Sequence, residues 1–293
     1  MLSRALCEGA AGRRCQGMSR RPGARRIGVG LTLALVLTLA PSAGRSEEDA
    51  EPAAEAVDPI DPDALAIATR AGDFLREAKR FSFSAESGYE AVQGDGSKIE
   101  FGSVRRYLVQ RPDRVRVETL PRDGGPRLTL FDGKRFVMVD LDEKAYARAD
   151  LAQPRDIDFV IDLVRERLDA PLPLAELLRN DPRREIEGSL EAAEVVGIER
   201  LRGIDCDHLA LRNPDTDVQF WIARGPQPLV RRIVITYRNL EGQPSFWADL
   251  DDWSLAPEVD AARFHYDPPQ DFQRVRFDVR PAPPPPMDKE DAP

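Results

Sequence analysis

The two residues with the clearest chemical potential are Cys206 and His208, which lie in the segment IDCDHLALR. Residues two apart in a β-strand point to the same face, so their thiol and imidazole groups are expected side by side. Such a pair can begin a zinc site or act as nucleophile and base. A zinc site needs three or four protein ligands, and the only other histidine is His265. The sequence therefore predicts a buried, inert Cys206 beside a hydrogen-bonded His208, and no metal site.

A second group with chemical potential is the carboxylate cluster Asp249, Asp251 and Asp252 in ADLDDW. Clustered carboxylates can perform acid–base chemistry or bind calcium, but this segment lacks the glycine-centred, alternating loop of an EF-hand. We expect Asp249 and Asp251 on the solvated face of a strand, with Asp252 near its end. The sequence therefore predicts no catalytic residue, no cofactor-binding residue and no cofactor.

The segments that must position these residues show either the two-residue periodicity of strands or the spacing of helices. Four β-rich segments follow one another over residues 195–255, with turn residues between them. A first block over residues 81–150 alternates in the same way and contains the hairpin signal Asp132-Gly133. Helical spacing predicts helices over 64–80, 156–168 and 173–179, and Val259–Phe264 is expected to close the fold.

This order of elements predicts an α+β fold with a curved antiparallel sheet. The pattern gives one helix, five or six strands, two helices, and then four or five strands, which is typical of α+β proteins rather than of βαβ folds. A sheet of about ten strands tends to curl into a partial barrel. About three helices are then expected to cover one side of it.

The first 44 residues are typical of a secretory signal peptide. Arg25 and Arg26 precede an uncharged apolar stretch, and small residues follow at positions 42–44. The apolar stretch of 14 residues, 27–40, is short for a membrane span, which needs about 20. Met18 is an alternative start of the chain. We expect a periplasmic protein that is not embedded in the membrane after cleavage.

Composition predicts the remaining domain boundaries. Residues 45–62 are acidic and rich in Ala and Pro, which indicates a disordered linker. A single domain is expected over residues 63–280. The tail 281–293 has the sequence PAPPPPMDKEDAP, which has no apolar periodicity and predicts a Pro-rich disordered segment.

Charge and cysteine content restrict the partners. Residues 1–43 hold seven Arg and one Glu, so their removal leaves 35 basic and 50 acidic side chains, a formal net charge of −15. Such a surface repels phosphate backbones, and nucleic acid is not an expected partner. Outside the leader only Cys206 remains, which excludes a disulfide within one molecule. The pattern does not indicate an oligomeric state.

Several short motifs carry a resemblance to a known family. They occur in the order RYLVQRPDRVRVE (106–118), FDGKRFVMVD (131–140), PLAELL with a following DP (173–182), GIDCDHLA (203–210), QFWIARGPQPLVRRIVITYRN (219–239) and DWSL (252–255). Over roughly residues 65–275 the chain resembles a bacterial family of predicted periplasmic proteins, domain-of-unknown-function family 2092. That family is similar to the LolA/LolB lipoprotein carriers, which have an unclosed antiparallel half-barrel covered by helices. The resemblance therefore implies a LolA-like half-barrel.

The resemblance implies an apolar cavity for acyl chains, and the sequence offers candidates for its lining. Segments such as FVMV carry apolar residues on both faces, so alternation does not identify the inner face. The candidate ligand-cavity residues are Phe83, Tyr107, Val109, Val115, Val117, Leu128, Leu130, Phe136, Met138 and Phe220.

The leading functional prediction is a non-enzymatic periplasmic protein that binds a hydrophobic ligand in the concave face of the half-barrel. The expected ligand is a lipid or the acyl chains of a lipoprotein. One alternative is an envelope-stress or assembly factor that binds a protein partner. Another alternative is a hydrolase.

Overall fold

The structure, a computed structural model, describes residues 59–167, 174–183 and 190–277. The predicted signal peptide 1–44, residues 45–58 of the predicted linker and the tail 281–293 lie outside the described residues. Among the residues that the structure describes, no helix is both long enough and apolar enough to cross a membrane.

The described residues form one unclosed sheet of twelve strands in the order β12-β6-β5-β4-β3-β2-β1-β11-β10-β9-β8-β7. All neighbours pair antiparallel except β12, which runs parallel to β6. The strands are β1 (Arg80–Val92), β2 (Lys98–Gln110), β3 (Arg114–Pro121), β4 (Arg127–Phe131), β5 (Arg135–Asp140), β6 (Ala145–Asp150), β7 (Ala192–Leu201), β8 (Ile204–Arg212), β9 (Thr216–Ala223), β10 (Val230–Tyr237), β11 (Ser245–Ser254) and β12 (Gln273–Val275).

The α+β class and the antiparallel sheet agree with the sequence prediction, and the strand count is slightly higher than the predicted ten. Strand β12, which the sequence pattern did not include, has only three residues, all of them exposed, so it carries no alternation that a sequence pattern can detect. Val259–Phe264 does not close the fold. A short 3-10 helix, Ala261–Phe264, lies there, and the chain continues to β12.

Helix α1 (Pro62–Glu77) begins at a cap that the sequence encodes. The Asp61 side chain accepts a hydrogen bond from the backbone N–H of Asp63 at 2.8 Å, and Pro62 occupies the first turn. The predicted linker ends in ordered structure, since Ile60 forms a parallel bridge with Ala193. The helix ends before the predicted residue 80 because Arg80 already pairs with Gln110 in the sheet.

Two further helices follow β6. Helix α2 (Ile157–Arg167) agrees with the predicted spacing, and helix α3 is a single turn, Ala175–Leu178. Arg111, directly after β2, connects the helices to the sheet because it donates to the carbonyl oxygens of Ala78 and Arg179. Its guanidinium also lies 4.8 Å from the centre of the Phe81 ring. Burial lowers the pKa of Arg111 to about 10.

The three helices cover one face of the sheet, here called the helix face. The main core contains Leu75 of α1, Ile161 of α2 and Leu178 of α3, packed with strand residues such as Phe83. A smaller cluster lies on the opposite face, here called the outer face. It consists of Leu128, Leu130, Val137 and Val139 with Tyr146, Tyr266 and Phe272.

Candidate functional site

The helix face changes from fully buried to half-buried along neighbouring strands. On β2, Val109 and Tyr107 are 0% and 2% exposed, whereas Arg105 and Phe101, nearer the β1–β2 turn, are half-buried. The helices therefore cover one end of this face more completely than the other.

The half-buried end carries a continuous apolar row across five adjacent strands. Val218 pairs with Ile235, Ile235 with Phe246, Phe246 with Tyr89, and Tyr89 with Phe101. Paired residues share a face and lie close enough for their side chains to contact. The rings of Tyr89 and Phe101, for example, are stacked with centroids 5.6 Å apart. We call these five residues together with Phe220 the open-end surface.

Arg105 places a positive charge beside this surface. Its guanidinium donates to the Ser87 hydroxyl oxygen at 2.5 Å, and the Ser87 and Ser103 hydroxyls lie 3.2 Å apart. Burial lowers the pKa of Arg105, because water is excluded from the charged group. Among the described residues, no carboxylate lies within ion-pair distance of Arg105.

A second arginine on the same face is already neutralised. Arg127 lies 3.1 Å from Asp140, its partner in the β4–β5 pairing. Arg105 and Arg127 face the same side of the sheet because both pair with Thr119. Of these two arginines on the helix face, Arg127 is thus compensated by a carboxylate and Arg105 is not.

Eight of the ten predicted cavity residues lie on the helix face. Six of them are at most 5% exposed and form part of the packed core. Met138 and Phe220 are half-buried at its border, and only Phe220 belongs to the open-end surface. The six buried residues are Phe83, Tyr107, Val109, Val115, Val117 and Phe136.

The other two predicted cavity residues, Leu128 and Leu130, lie on the outer face. Leu130 pairs with Arg116, whereas the helix-face residues Val115 and Val117 pair with Phe131 and Thr129. Leu128 and Leu130 pack beneath Tyr266 and Phe272 of the C-terminal segment. Their assignment to one lining with Val115 and Val117 is therefore wrong, because adjacent positions in a strand face opposite sides.

Cys206 and His208 lie on the outer face, and burial and side-chain contacts account for the position of each. Cys206 is 0% exposed and burial raises the pKa of its thiol. The His208 ring stacks on Trp221 at 4.1 Å and lies 3.0 Å from a Glu199 carboxylate oxygen. The described residues contain no group of three or more His, Cys, Asp or Glu side chains arranged to hold a metal ion.

The Asp249 cluster takes part in surface ion pairs. Asp249 lies 2.7 Å from Arg232, and Asp251 pairs with Arg202. Asp252 accepts a hydrogen bond from the Ser84 hydroxyl at 2.7 Å. Each carboxylate thus has a structural partner that accounts for its position.

A polar cavity of about 500 Å³ lies on the outer face beside the C-terminal segment. Its lining includes Arg114, Asp132, Lys134, Arg135 and His265. Arg135 and Asp132 are 3.0 Å apart, and Arg135 also contacts His265 at 2.6 Å. Arg135, Asp132 and His265 of this lining thus contact one another. The cavity lies on the opposite side of the sheet from the open-end surface.

Sequence reasoning missed the open-end surface, although part of its signal is present. The β1–β2 hairpin alternates in both arms, and closing it over residues 93–97 places Tyr89 beside Phe101. The remaining step is the pairing of β1 with β11, which joins residues about 160 positions apart. Local periodicity contains no information about that pairing.

A comparison with protein families assigns this chain to one family. The model of a family described as predicted periplasmic protein (DUF2092) matches residues 64–278. A comparison with curated proteins found no match.

Several solved structures are similar to the chain at low sequence identity. An uncharacterized conserved protein from Thermus thermophilus is 12% identical, with a TM-score of 0.44, over 73% of this chain and 99% of that chain. Lipoprotein LppX of Mycobacterium tuberculosis is 13% identical, with a TM-score of 0.42, over 68% and 100%. A LolA superfamily protein from Nitrosomonas europaea is 13% identical, with a TM-score of 0.36, over 69% and 97%.

Proposed function

The chain belongs to the family of predicted periplasmic proteins DUF2092. We propose that this periplasmic protein binds a hydrophobic ligand on the helix face of its sheet. The ligand is a lipid or the acyl chains of a lipoprotein. The observation that carries the proposal is the open-end surface, a row of half-buried apolar side chains that continues directly from the packed core.

The packed part of the helix face is a poor location for the ligand. Val115, Val117 and Phe136 already fill the space between the sheet and the helices, and each is at most 5% exposed. A ligand there has to displace side chains that contribute to stability. The open-end surface instead offers apolar area that is still partly hydrated.

Burial of an acyl chain against this row is favourable without any rearrangement of the core. Each buried methylene group contributes about 0.8 kcal/mol. The row crosses five strands spaced about 4.8 Å apart, which gives a length of roughly 19 Å. That length matches an extended chain of roughly 15 methylene groups at about 1.25 Å each, and such a chain gains substantial affinity even if half of its surface is buried.

The proposal is tested by displacement of a fluorescent fatty-acid probe from the purified protein, together with native mass spectrometry for co-purified lipid. Phe246→Glu and Ile235→Glu introduce a carboxylate into the centre of the open-end surface, and we expect each to weaken probe binding at least about tenfold, since burying an unpaired charge is costly. Half-buried positions are preferable to Val117, where a carboxylate is expected to unfold the protein.

The matched control is Val104→Glu, which makes the same type of change at a 41% exposed residue of β2 on the outer face. We expect it to leave probe binding unchanged. If the wild type binds no probe and carries no lipid, or if Val104→Glu weakens binding as much as Phe246→Glu, the proposal is wrong. The protein-partner interpretation then takes precedence.

A further inference from the structure

We propose that Arg105 recognises an anionic headgroup, so that the ligand is an amphiphile with a carboxylate or phosphate at one end of its acyl chain. The inference rests on the proposed function and specifies the ligand class for the same surface. Its basis is the position of Arg105 among hydroxyl and aromatic groups with no acidic partner in the described part of the helix face.

The side chain of Arg105 extends toward the apolar row. Its backbone pairs with Ala85, but its guanidinium donates to Ser87, which lies two residues further along β1 toward Tyr89. Two residues of a strand span roughly 7 Å. Arg105 therefore delivers its charge close to the end of the row formed by Tyr89 and Phe101.

The environment of this guanidinium favours an incoming anion. Ser87 is 2% exposed and occupies one donor position of Arg105, while an arginine has five N–H donors in total. Partial exclusion of water strengthens the attraction for a carboxylate or phosphate. On the same face, the Asp140 carboxylate is paired with Arg127 at 3.1 Å.

The two features together define one ligand class. The acyl chain lies along Val218, Ile235 and Phe246, and its charged end lies at the β1–β2 side, where Arg105 and the Ser103 hydroxyl are located. A bidentate contact with a carboxylate or phosphate is the geometry that arginine prefers. A neutral lipid binds the same row but gains nothing from Arg105.

The test compares oleate with oleyl alcohol, two ligands with the same chain that differ in charge, by competition against the fluorescent probe in the full-length protein. We expect the wild type to bind oleate about 10- to 100-fold more tightly than oleyl alcohol, the range of one charge-assisted contact. Arg105→Gln should remove that preference and leave oleyl alcohol affinity unchanged. Arg105→Lys, which keeps the charge, should retain part of the preference.

Arg106→Gln is the matched control, because it removes the same charge from an exposed residue on the outer face. Inorganic phosphate is tested separately as a competitor of the fluorescent probe. If phosphate alone displaces the probe, Arg105 lies in a site for free anions and not for a lipid headgroup, which overturns the inference. Circular dichroism confirms that each variant folds.

The outcomes separate the two proposals. Equal binding of oleate and oleyl alcohol by the wild type overturns the role of Arg105 but leaves hydrophobic binding intact. Absence of binding by both ligands contradicts the proposed function itself. An equal loss of preference in Arg105→Gln and Arg106→Gln also overturns the inference, because the effect is then one of net charge.

Discussion

At the scale of single residues, Cys206 shows how burial decides between chemistry and packing. Its side chain is 0% exposed, its sulfur lies 3.6 Å from the carbonyl oxygen of Ile204, and burial raises the pKa of the thiol. A raised pKa reduces the thiolate fraction, and the thiolate is the reactive form. We therefore expect native Cys206 to resist a thiol reagent at pH 8, whereas urea-unfolded protein reacts at once.

The same residue gives a stability prediction. Cys206→Ser should lower the free energy of unfolding by about 1–2 kcal/mol in urea denaturation, because a hydroxyl is more costly to bury than a thiol. Binding of the fatty-acid probe should not change, since Cys206 lies on the outer face. Rapid labelling of Cys206 in the native protein, or stoichiometric zinc that disappears with the mutation, contradicts this description.

At the scale of elements, side-chain packing on the outer face of the β1–β2 hairpin depends on two paired glycines, Gly88 in β1 and Gly102 in β2. A methyl group on Gly88 meets Trp247 Nε1 at 2.5 Å, and one on Gly102 meets the Arg122 guanidinium at 2.6 Å. Trp247 Nε1 donates to Glu100 at 3.1 Å, and this bond requires the ring to lie over Gly88. The absence of side chains at these positions lets the larger residues cross the hairpin.

Gly88→Ala should therefore displace the Trp247 ring and destabilise the protein by about 1–3 kcal/mol, the usual cost of added volume at a tightly packed position. Near-ultraviolet circular dichroism reports the ring environment, and urea denaturation reports stability. Gly94→Ala is the control, because a methyl group there meets no atom within 4 Å. Equal effects of the two substitutions rule out the role assigned to Gly88.

The elements also show what the sequence can predict and why. Strict alternation predicts that Val115 and Val117 share one face of β3, and in the structure both belong to the core on the helix face. Alternation failed for Leu128 and Leu130, because β4 carries apolar residues on both faces and the covering residues Tyr266 and Phe272 lie more than 130 positions away. Local patterns identify which residues are buried, but only long-range contacts decide which layer buries them.

At the scale of the whole molecule, the proposed site depends on one long-range strand pairing within the sheet. The pairing of β1 with β11 joins the first block of strands to the last, and it places Phe246 next to Tyr89. Without it, the open-end surface separates into a patch on β9, β10 and β11 and a patch on β1 and β2. The order of elements in the sequence predicted the α+β class and the antiparallel sheet, whereas the proposed ligand surface requires the register between distant strands.

The whole-molecule prediction that remains to be tested concerns export. Arg25 and Arg26, the apolar residues 27–40 and the small residues 42–44 form the order of a secretory signal peptide. N-terminal sequencing of the protein recovered from the periplasm should begin between about Pro41 and Glu48, because cleavage follows small residues. The recovered protein should also have a lower isoelectric point than the precursor, since residues 18–43 hold four arginines and no acidic residue. A full-length product confined to the cytosol contradicts this prediction. Replacing Leu35 and Val36 with Asp interrupts the apolar segment and should block processing. Replacing Ala53 and Ala54 with Asp adds the same charge beyond the expected cleavage region, whichever Met starts the chain, and should not.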